Sequence, residues 1–231
     1  MNRINPETRV LGLIGNPVKD SLSPKLQNRA IKELGLNYRY FAFRVEVGGV
    51  DRAVAGAKEL GFRGLNVTVP HKRRVTELMD ELSGSATSIG AVNTIIFNKN
   101  GNLLGDNTDW RGFVKSLEIR GFDPKDKTCL VFGAGGGARG VVYGLIREGA
   151  GEVVVANRTV ERAEKLVKDM KSVSGGANLI SVSLSADTLA GDVKAADLVV
   201  NATSVGMGST KGESIWKDSE SFHEDQLVYD L

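Results

Sequence analysis

The sequence predicts an α/β protein with largely parallel sheets, divided into two domains, and three observations carry that expectation. Strand-like and helix-like segments alternate along nearly the whole chain, the pattern of parallel strands joined by crossover helices. A run of glycines at residues 133–137 stands between an apolar strand and an amphipathic helix. A polar break, Asp123 to Lys127, separates the two series of segments. The 231 residues leave room for one large domain or two modest ones, each able to bury a core.

Taken in order, "VLGLIG" (10–15) reads as a strand and "SPKLQNRAIKELGL" (23–36) as a helix with proline in its first turn. "YRYFAFRV" (38–45) reads as a strand rich in aromatics, and "VDRAVAGAKELGF" (50–62) as a helix. "LNVTV" (65–69) alternates apolar and polar residues and then meets Pro70, as a strand running into a helix does. "AVNTIIF" (91–97) and "NLLGDNTD" (102–109) flank "NKNG", whose Asn-Gly favours a tight hairpin turn. "WRGFVKSLEIRGF" (110–122) reads as a helix. The second series of strands is "TCLVFG" (128–133), "EVVVANR" (152–158), "LISVSL" (179–184), "ADLVVNAT" (196–203) and "LVYDL" (227–231). The domain boundary falls near the polar break. Grouping the preceding helix with the second series gives domains of residues 1–109 and 110–231.

Composition excludes several functions. Lys plus Arg number 30 against 28 Asp plus Glu, with no long basic block, so nucleic acid is not an expected partner. No apolar run reaches the roughly 18 residues a membrane span needs, and "MNRINPETRV" lacks the apolar centre of an export signal. The single cysteine, Cys129, excludes an internal disulfide and fits a reducing cytoplasm. Its setting in "KTCLVFG" reads as a buried structural thiol. No metal site is expected.

The most legible motif is "CLVFGAGGGARGVVYGLIREG" (129–149). Gly133, Ala134, Gly135, Gly136, Gly137 and Ala138 take the G-x-G-x-x-A form of a dinucleotide fingerprint, with Gly135 and Gly140 as an alternative pair of ends. Glycines there let backbone approach a pyrophosphate seated on the helix N-terminus. The end of the next strand selects the cofactor. An acidic residue holds the ribose of NAD, whereas Asn157, Arg158 and Thr159 stand there in this chain, and a guanidinium suits a 2′-phosphate. The expected cofactor is NADP. The plain alternative is that Thr159 caps the next helix and Arg158 is merely solvated.

The first half carries polar residues suited to a small anion. Ser23 reads as the cap of a helix whose next residue is Pro24, which leaves Ser21 idle unless both hydroxyls serve a ligand. Asn66 and Thr68 alternate with Val67 and Val69, so both point to one face at the C-terminal end of a strand, where α/β sheets bind ligands.

Together these residues resemble one family. "SLSP", "NVTVPHK", "GAVNT", "GDNTDWRG", "GAGGGARG", "NRT" and "NATSVGM" occur in the order and spacing of shikimate dehydrogenases, over nearly the whole chain. The resemblance implies an α/β substrate domain, a Rossmann-type NADP-binding domain and a cleft where 3-dehydroshikimate is reversibly reduced to shikimate. It implies that Ser21 and Ser23 hold the substrate carboxylate and that Asn66, Thr68, Asn93 and Asp109 hold its hydroxyls. Lys72 and Asp109 are implied as the catalytic pair. Gly133 to Gly137 would cradle the pyrophosphate, with Asn157, Arg158, Thr159 and Arg162 around the 2′-phosphate and Leu231 on the nicotinamide. A small-molecule substrate and a monomer or homodimer complete the expectation.

Lys72 poses a question of charge. If a helix begins after Pro70, its first turn holds His71, Lys72, Arg73 and Arg74, where the backbone field disfavours cations. A lysine at that helix end and beside other cations is expected to have its pKa lowered toward the operating pH, as suits a general acid and base. Taken alone, Lys72 reads as solvated and Asp109 as a helix cap. A quinate-oxidising or NAD-using relative, or a non-enzymatic NADP-binding regulator, would share much of this pattern. In the resembling family the strand "LVYDL" runs on into a tyrosine-bearing loop and C-terminal helices with a glutamine. The expectation is therefore a longer natural protein whose first domain is partly covered by those helices, and a 231-residue segment that binds NADP but turns over shikimate poorly.

Overall fold

In the computed structural model, which describes residues 4–185, 187–207 and 210–231, the first alternating series becomes a sheet centred on β1 (Arg9–Gly15). The strands β2 (Tyr38–Arg44) and β3 (Gly64–Val67) flank β1 and run parallel to it. Successive side chains of a strand face opposite ways, and β1 buries both faces. Leu13 packs with Tyr40 and with Ile31 of α1 (Ser23–Glu33) on one side. Ile14 packs on the other with Val50, Val54 and Ala57 of α2 (Val50–Glu59). Helices on both faces are what parallel strands require.

Beyond β3 the sheet turns antiparallel. β5 (Thr94–Phe97) pairs with β3 and with β6 (Leu103–Asp106), and the short β4 (Glu81–Leu82) joins the far edge. The expected hairpin is present, closed by Gly101 N–H to Asn98 O and Asn98 N–H to Asn102 O, so the loop holds three residues. A helix expected after Pro70 is absent. His71 N–H bonds to Thr68 O in a turn, and a 3₁₀ helix spans only Arg74–Leu78. Turns at residues 69–70 and 72–73 precede that 3₁₀ helix, whose second residue, Val75, is fully buried in the core.

The second series forms an entirely parallel sheet. β7 (Thr128–Phe132) lies between β8 (Glu152–Asn157) and β10 (Leu198–Asn201), with β9 (Asn178–Ser183) and β11 (Leu227–Asp230) at the edges. The order β11-β10-β7-β8-β9 is Rossmann-type, and its direction reverses between β7 and β10. The crossovers are α5 (Gly136–Arg147), α6 (Val160–Met170) and α7 (Leu189–Ala195). Ahead of them α4 (Asp109–Ile119) packs on α5, where Gly144 leaves room: a Cβ there would stand 3.2 Å from Val114 Cγ2.

Contacts divide the chain into Met1–Thr108 and Asp109–Leu231, so that Asp109 opens the second unit as the first residue of α4. The short α3 (Gly84–Ile89), β4 and α7 escaped the sequence reading because segments this brief show too little periodicity. No helix among the described residues is long and apolar enough to cross a membrane. Leu22, Leu26 and Phe41 stand exposed on the first unit.

Cys129 is fully buried in β7, and burial first, then the charge of Asp197, pushes its thiol up to about 12. The native protein should therefore fail to react with a thiol reagent at pH 8 and should titrate one thiol per chain after unfolding in guanidinium. Prompt reaction of the native form would show that β7 opens readily.

Candidate active site

The first unit gathers most of its predicted residues at one end of its parallel strands. Ser21 and Ser23 follow β1, Thr68 follows β3, and Asn66 lies within β3. Ser23 does not cap its helix, contrary to the expectation from sequence. Ser21 Oγ instead accepts the Ser23 N–H at 3.2 Å. Leu22 stands at the N-cap and supplies no side-chain bond.

A continuous polar chain runs through this face. Tyr40 donates to Asn66 Oδ1 at 2.7 Å, and Asn66 Nδ2 reaches Asn93 O at 3.4 Å and Thr94 Oγ1 at 3.2 Å. Thr94 donates to Asn93 Oδ1 at 2.9 Å. The Asn93 amide then holds Thr108, with Nδ2 to Oγ1 at 3.0 Å and Oδ1 from the Thr108 N–H at 2.9 Å. Burial makes Tyr40 and Asn93, 4% and 8% exposed, costly to leave unpaired, while Asn66 and Thr94 are half-buried and Thr108 is exposed. Asp109 follows Thr108 by one peptide bond. The sequence reading missed Tyr40, Thr94 and Thr108. The alternation of Tyr38 and Tyr40 was the available signal for the first.

Thr68 is held by its N–H to Ile14 O at 2.9 Å. Its methyl occupies the space beside Gly15, where a Cβ would lie only 2.2 Å away, so the close approach of the two loops requires glycine there. Lys72 is half-buried, and its carbonyl accepts the Val92 N–H at 2.8 Å and the Thr76 hydroxyl at 3.2 Å. That clamp ties the lysine backbone to the residue before Asn93. No α-helix starts at Lys72, so the helix dipole expected to act on it is missing. Arg74 is also not aimed at it, because its guanidinium pairs with Asp51 and Glu77. Buried His71 is anchored by its ring nitrogen to Val45 O at 2.8 Å.

In the second unit the glycine run follows β7 as expected. Gly133 has φ +109°, a conformation that disfavours any side chain, and a Cβ there would stand 3.0 Å from Ala202 O. Gly135 is the N-cap of α5, no side chain caps that helix, and nothing lies within 4 Å of where a Cβ of Gly135 would be. Open space over free helical N–H groups fits a dinucleotide pyrophosphate. Beside this cradle the β10 loop is organised by Asn201, whose Oδ1 accepts from Thr203 Oγ1 at 2.7 Å while its Nδ2 donates to Asp230 at 2.7 Å. Leu231 lies over α5, its Cδ2 2.8 Å from where a Gly137 Cβ would stand.

Asn157 ends β8 and donates to Thr159 O at 2.7 Å. Thr159 occupies the N-cap of α6 but makes no side-chain cap bond. Arg158 and Arg162 are exposed and have no ion-pair partner among the described residues, an arrangement suited to a phosphate. Arg139 differs: it is buried, with its side chain 5% exposed, and pairs with Asp169 at 2.9 Å, tying α5 to α6.

Two family models match the chain: the shikimate dehydrogenase substrate binding domain over residues 13–95, and shikimate / quinate 5-dehydrogenase over residues 116–229. A curated relative from Methanopyrus kandleri, shikimate dehydrogenase (NADP(+)), is 47% identical over 229 residues, covering 99% of this chain and 78% of the relative. Among solved structures, shikimate 5-dehydrogenase from Listeria monocytogenes, in complex with shikimate and NAD, superposes with a TM-score of 0.87 at 31% identity, covering 100% of this chain and 80% of the other. The Thermus thermophilus enzyme, in complex with NADP(H) and shikimate, gives 0.81 at 33% identity, covering 96% and 78%.

The Arg139–Asp169 tie yields a pH prediction. Burial raises the Asp169 pKa, but Arg139 and Lys165 outweigh it and hold the carboxyl below its usual value. A depressed carboxyl stabilises the fold above its unfolded pKa, about 3.9, and that contribution is lost as pH falls through the folded value. Asp169→Asn should therefore cost about 2 kcal/mol at pH 7 by leaving a buried guanidinium short of its charge partner. The gap to the parent should narrow in urea melts below about pH 4. An equal gap at both pH values would show that the charge of Asp169 is not what holds Arg139.

Proposed function

The chain belongs to the shikimate dehydrogenase family, and we propose that Lys72 and Asp109 are the residues through which it performs that family's reaction. The reaction is the reversible NADP-dependent reduction of 3-dehydroshikimate to shikimate. The observation that supports the assignment of residues is the polar chain from Tyr40 to Thr108, which lies in the unit that contains the match to the substrate-binding model.

NADPH supplies a hydride to the carbonyl carbon when bound. The carbonyl oxygen must then gain a proton, and Lys72 donates it, taking it back in the reverse direction. Its backbone is pinned by Val92, so the ammonium swings from a fixed point. Asp109 accepts from the reacting hydroxyl and orients the ammonium. Ser21 and Ser23 hold the substrate carboxylate, with Asn66, Thr68 and Asn93 on the hydroxyls. On the nucleotide side, Gly133 to Gly137 receive the pyrophosphate and Leu231 the nicotinamide. Asn157, Arg158, Thr159 and Arg162 surround the 2′-phosphate. The absence of an acid at the end of β8 favours NADP over NAD. A small, soluble substrate and one buried thiol suit the cytoplasm, with the protein acting as a monomer or homodimer.

Initial rates with shikimate and quinate against NADP and NAD test the reading, with the highest kcat/KM expected for shikimate and NADP. In that assay Lys72→Ala should lower kcat by roughly 10²–10⁴-fold and leave NADP affinity nearly unchanged. Near-normal turnover would remove Lys72 from the mechanism. Arg158→Ala should weaken NADP by about 1.5–3 kcal/mol while NAD binding hardly changes, because only NADP carries the phosphate. Equal loss for both cofactors would mean that Arg158 supports structure alone.

A further inference from the structure

We propose that Tyr40 is a positioning residue that fixes which end of the Asn66 amide faces the substrate, so that Asn66 accepts a hydrogen bond from a substrate hydroxyl. This rests on the substrate reading above. A phenol has one proton, and Tyr40 gives it to Asn66 Oδ1 at 2.7 Å. With its oxygen turned to Tyr40, Asn66 presents its nitrogen to two acceptors, Asn93 O at 3.4 Å and Thr94 Oγ1 at 3.2 Å. Both amide hydrogens are thereby engaged. What remains is the second lone pair of Oδ1, which recognises an O–H and repels a carbonyl oxygen.

The fold explains why a tyrosine does this. Tyr40 stands opposite Leu11 and Asn66 opposite Leu13, on the two strands that flank β1. Neighbouring strands are about 4.8 Å apart, so the link must cross a whole strand. The ring makes that crossing by packing on Leu13, and Tyr40 is 4% exposed. The backbone of Tyr40 is itself gripped by Asn28 of α1, with Oδ1 accepting its N–H at 3.0 Å and Nδ2 donating to its carbonyl at 2.8 Å. The helix that begins at Ser23 thus sets the strand that carries Tyr40. Burial pushes the phenol up to about 12, against a smaller pull from Ser23, so the proton it donates is retained across the neutral range. Without the hydroxyl, nothing on the β2 side distinguishes the two ends of the amide.

The test is Tyr40→Phe in the intact enzyme, which removes one oxygen and keeps the ring. The KM for shikimate should rise roughly three- to tenfold, the worth of one neutral hydrogen bond. Turnover at saturating shikimate should stay within roughly twofold, with the KM for NADP and the melting temperature essentially unchanged. In an Asn66→Ala background the same change should have no further effect on KM, since Tyr40 acts through Asn66. An unchanged KM, or the same loss in both backgrounds, overturns the proposal. So does a rise in KM accompanied by equal loss of NADP affinity and of melting temperature, which would assign Tyr40 to folding alone. A parent enzyme unable to oxidise shikimate would overturn the functional reading instead.

Discussion

Parallel pairing is the constraint from which the rest of this structure follows. Two parallel neighbours cannot be joined by a tight turn, so each strand leaves the sheet at the same edge and returns by a crossover. In the first unit that edge receives the loops after β1 and β3, which carry Ser21 and Thr68. In the second it receives the loops after β7, β8 and β10, which carry Gly133, Arg158 and Thr203. The reversal of strand order between β7 and β10 opens a crevice, and a Cβ on Gly133 would stand 3.0 Å from Ala202 O at that point. A side chain there would close the crevice, which is why the backbone takes a conformation open to glycine.

The legible parts of the fold were those whose periodicity reflects burial. The strands β1, β7, β8 and β10 show apolar runs because both their faces are covered, α2 buries the single stripe Val50, Val54 and Ala57, and α5 is buried continuously from Ala138 to Ile146. The segment after Pro70 misled because its basic residues and preceding strand imitate a helix start. What decides its course is the demand of Val75 for the core and the bond from Val92 N–H to Lys72 O, both contacts across sequence that no local pattern reports. The cap expected of Ser23 falls instead to Ser21, whose hydroxyl accepts the Ser23 N–H.

The loss of the helix end at Lys72 changes what the lysine depends on. A dipole would have acted through the field of a whole helix, whereas the clamp to Val92 acts on one peptide group. Val92 adjoins Asn93, whose carbonyl accepts from Val67 N–H at 2.8 Å and whose own N–H bonds to Asp106 O at 3.0 Å. The lysine backbone is therefore referred to the same short stretch that holds Asn66 and Thr108. Position, more than field, is what this arrangement controls, and a positioned acid gains its rate from orientation as well as from proton affinity.

That stretch also explains why so much polarity is tolerated inside the first unit. Tyr40 gives, and Asn66, Thr94, Asn93 and Thr108 each give and receive, within one chain of bonds, so desolvation is compensated link by link. Such a chain resists local change, because breaking one link leaves two groups unpaired in a poorly hydrated place. It also transmits orientation: the amide of Asn66 cannot turn without displacing the hydroxyl of Thr94, and that hydroxyl cannot turn without releasing Asn93. The polar face is thus set in advance of any ligand, and the entropy of ordering it is expended in folding the unit rather than in binding.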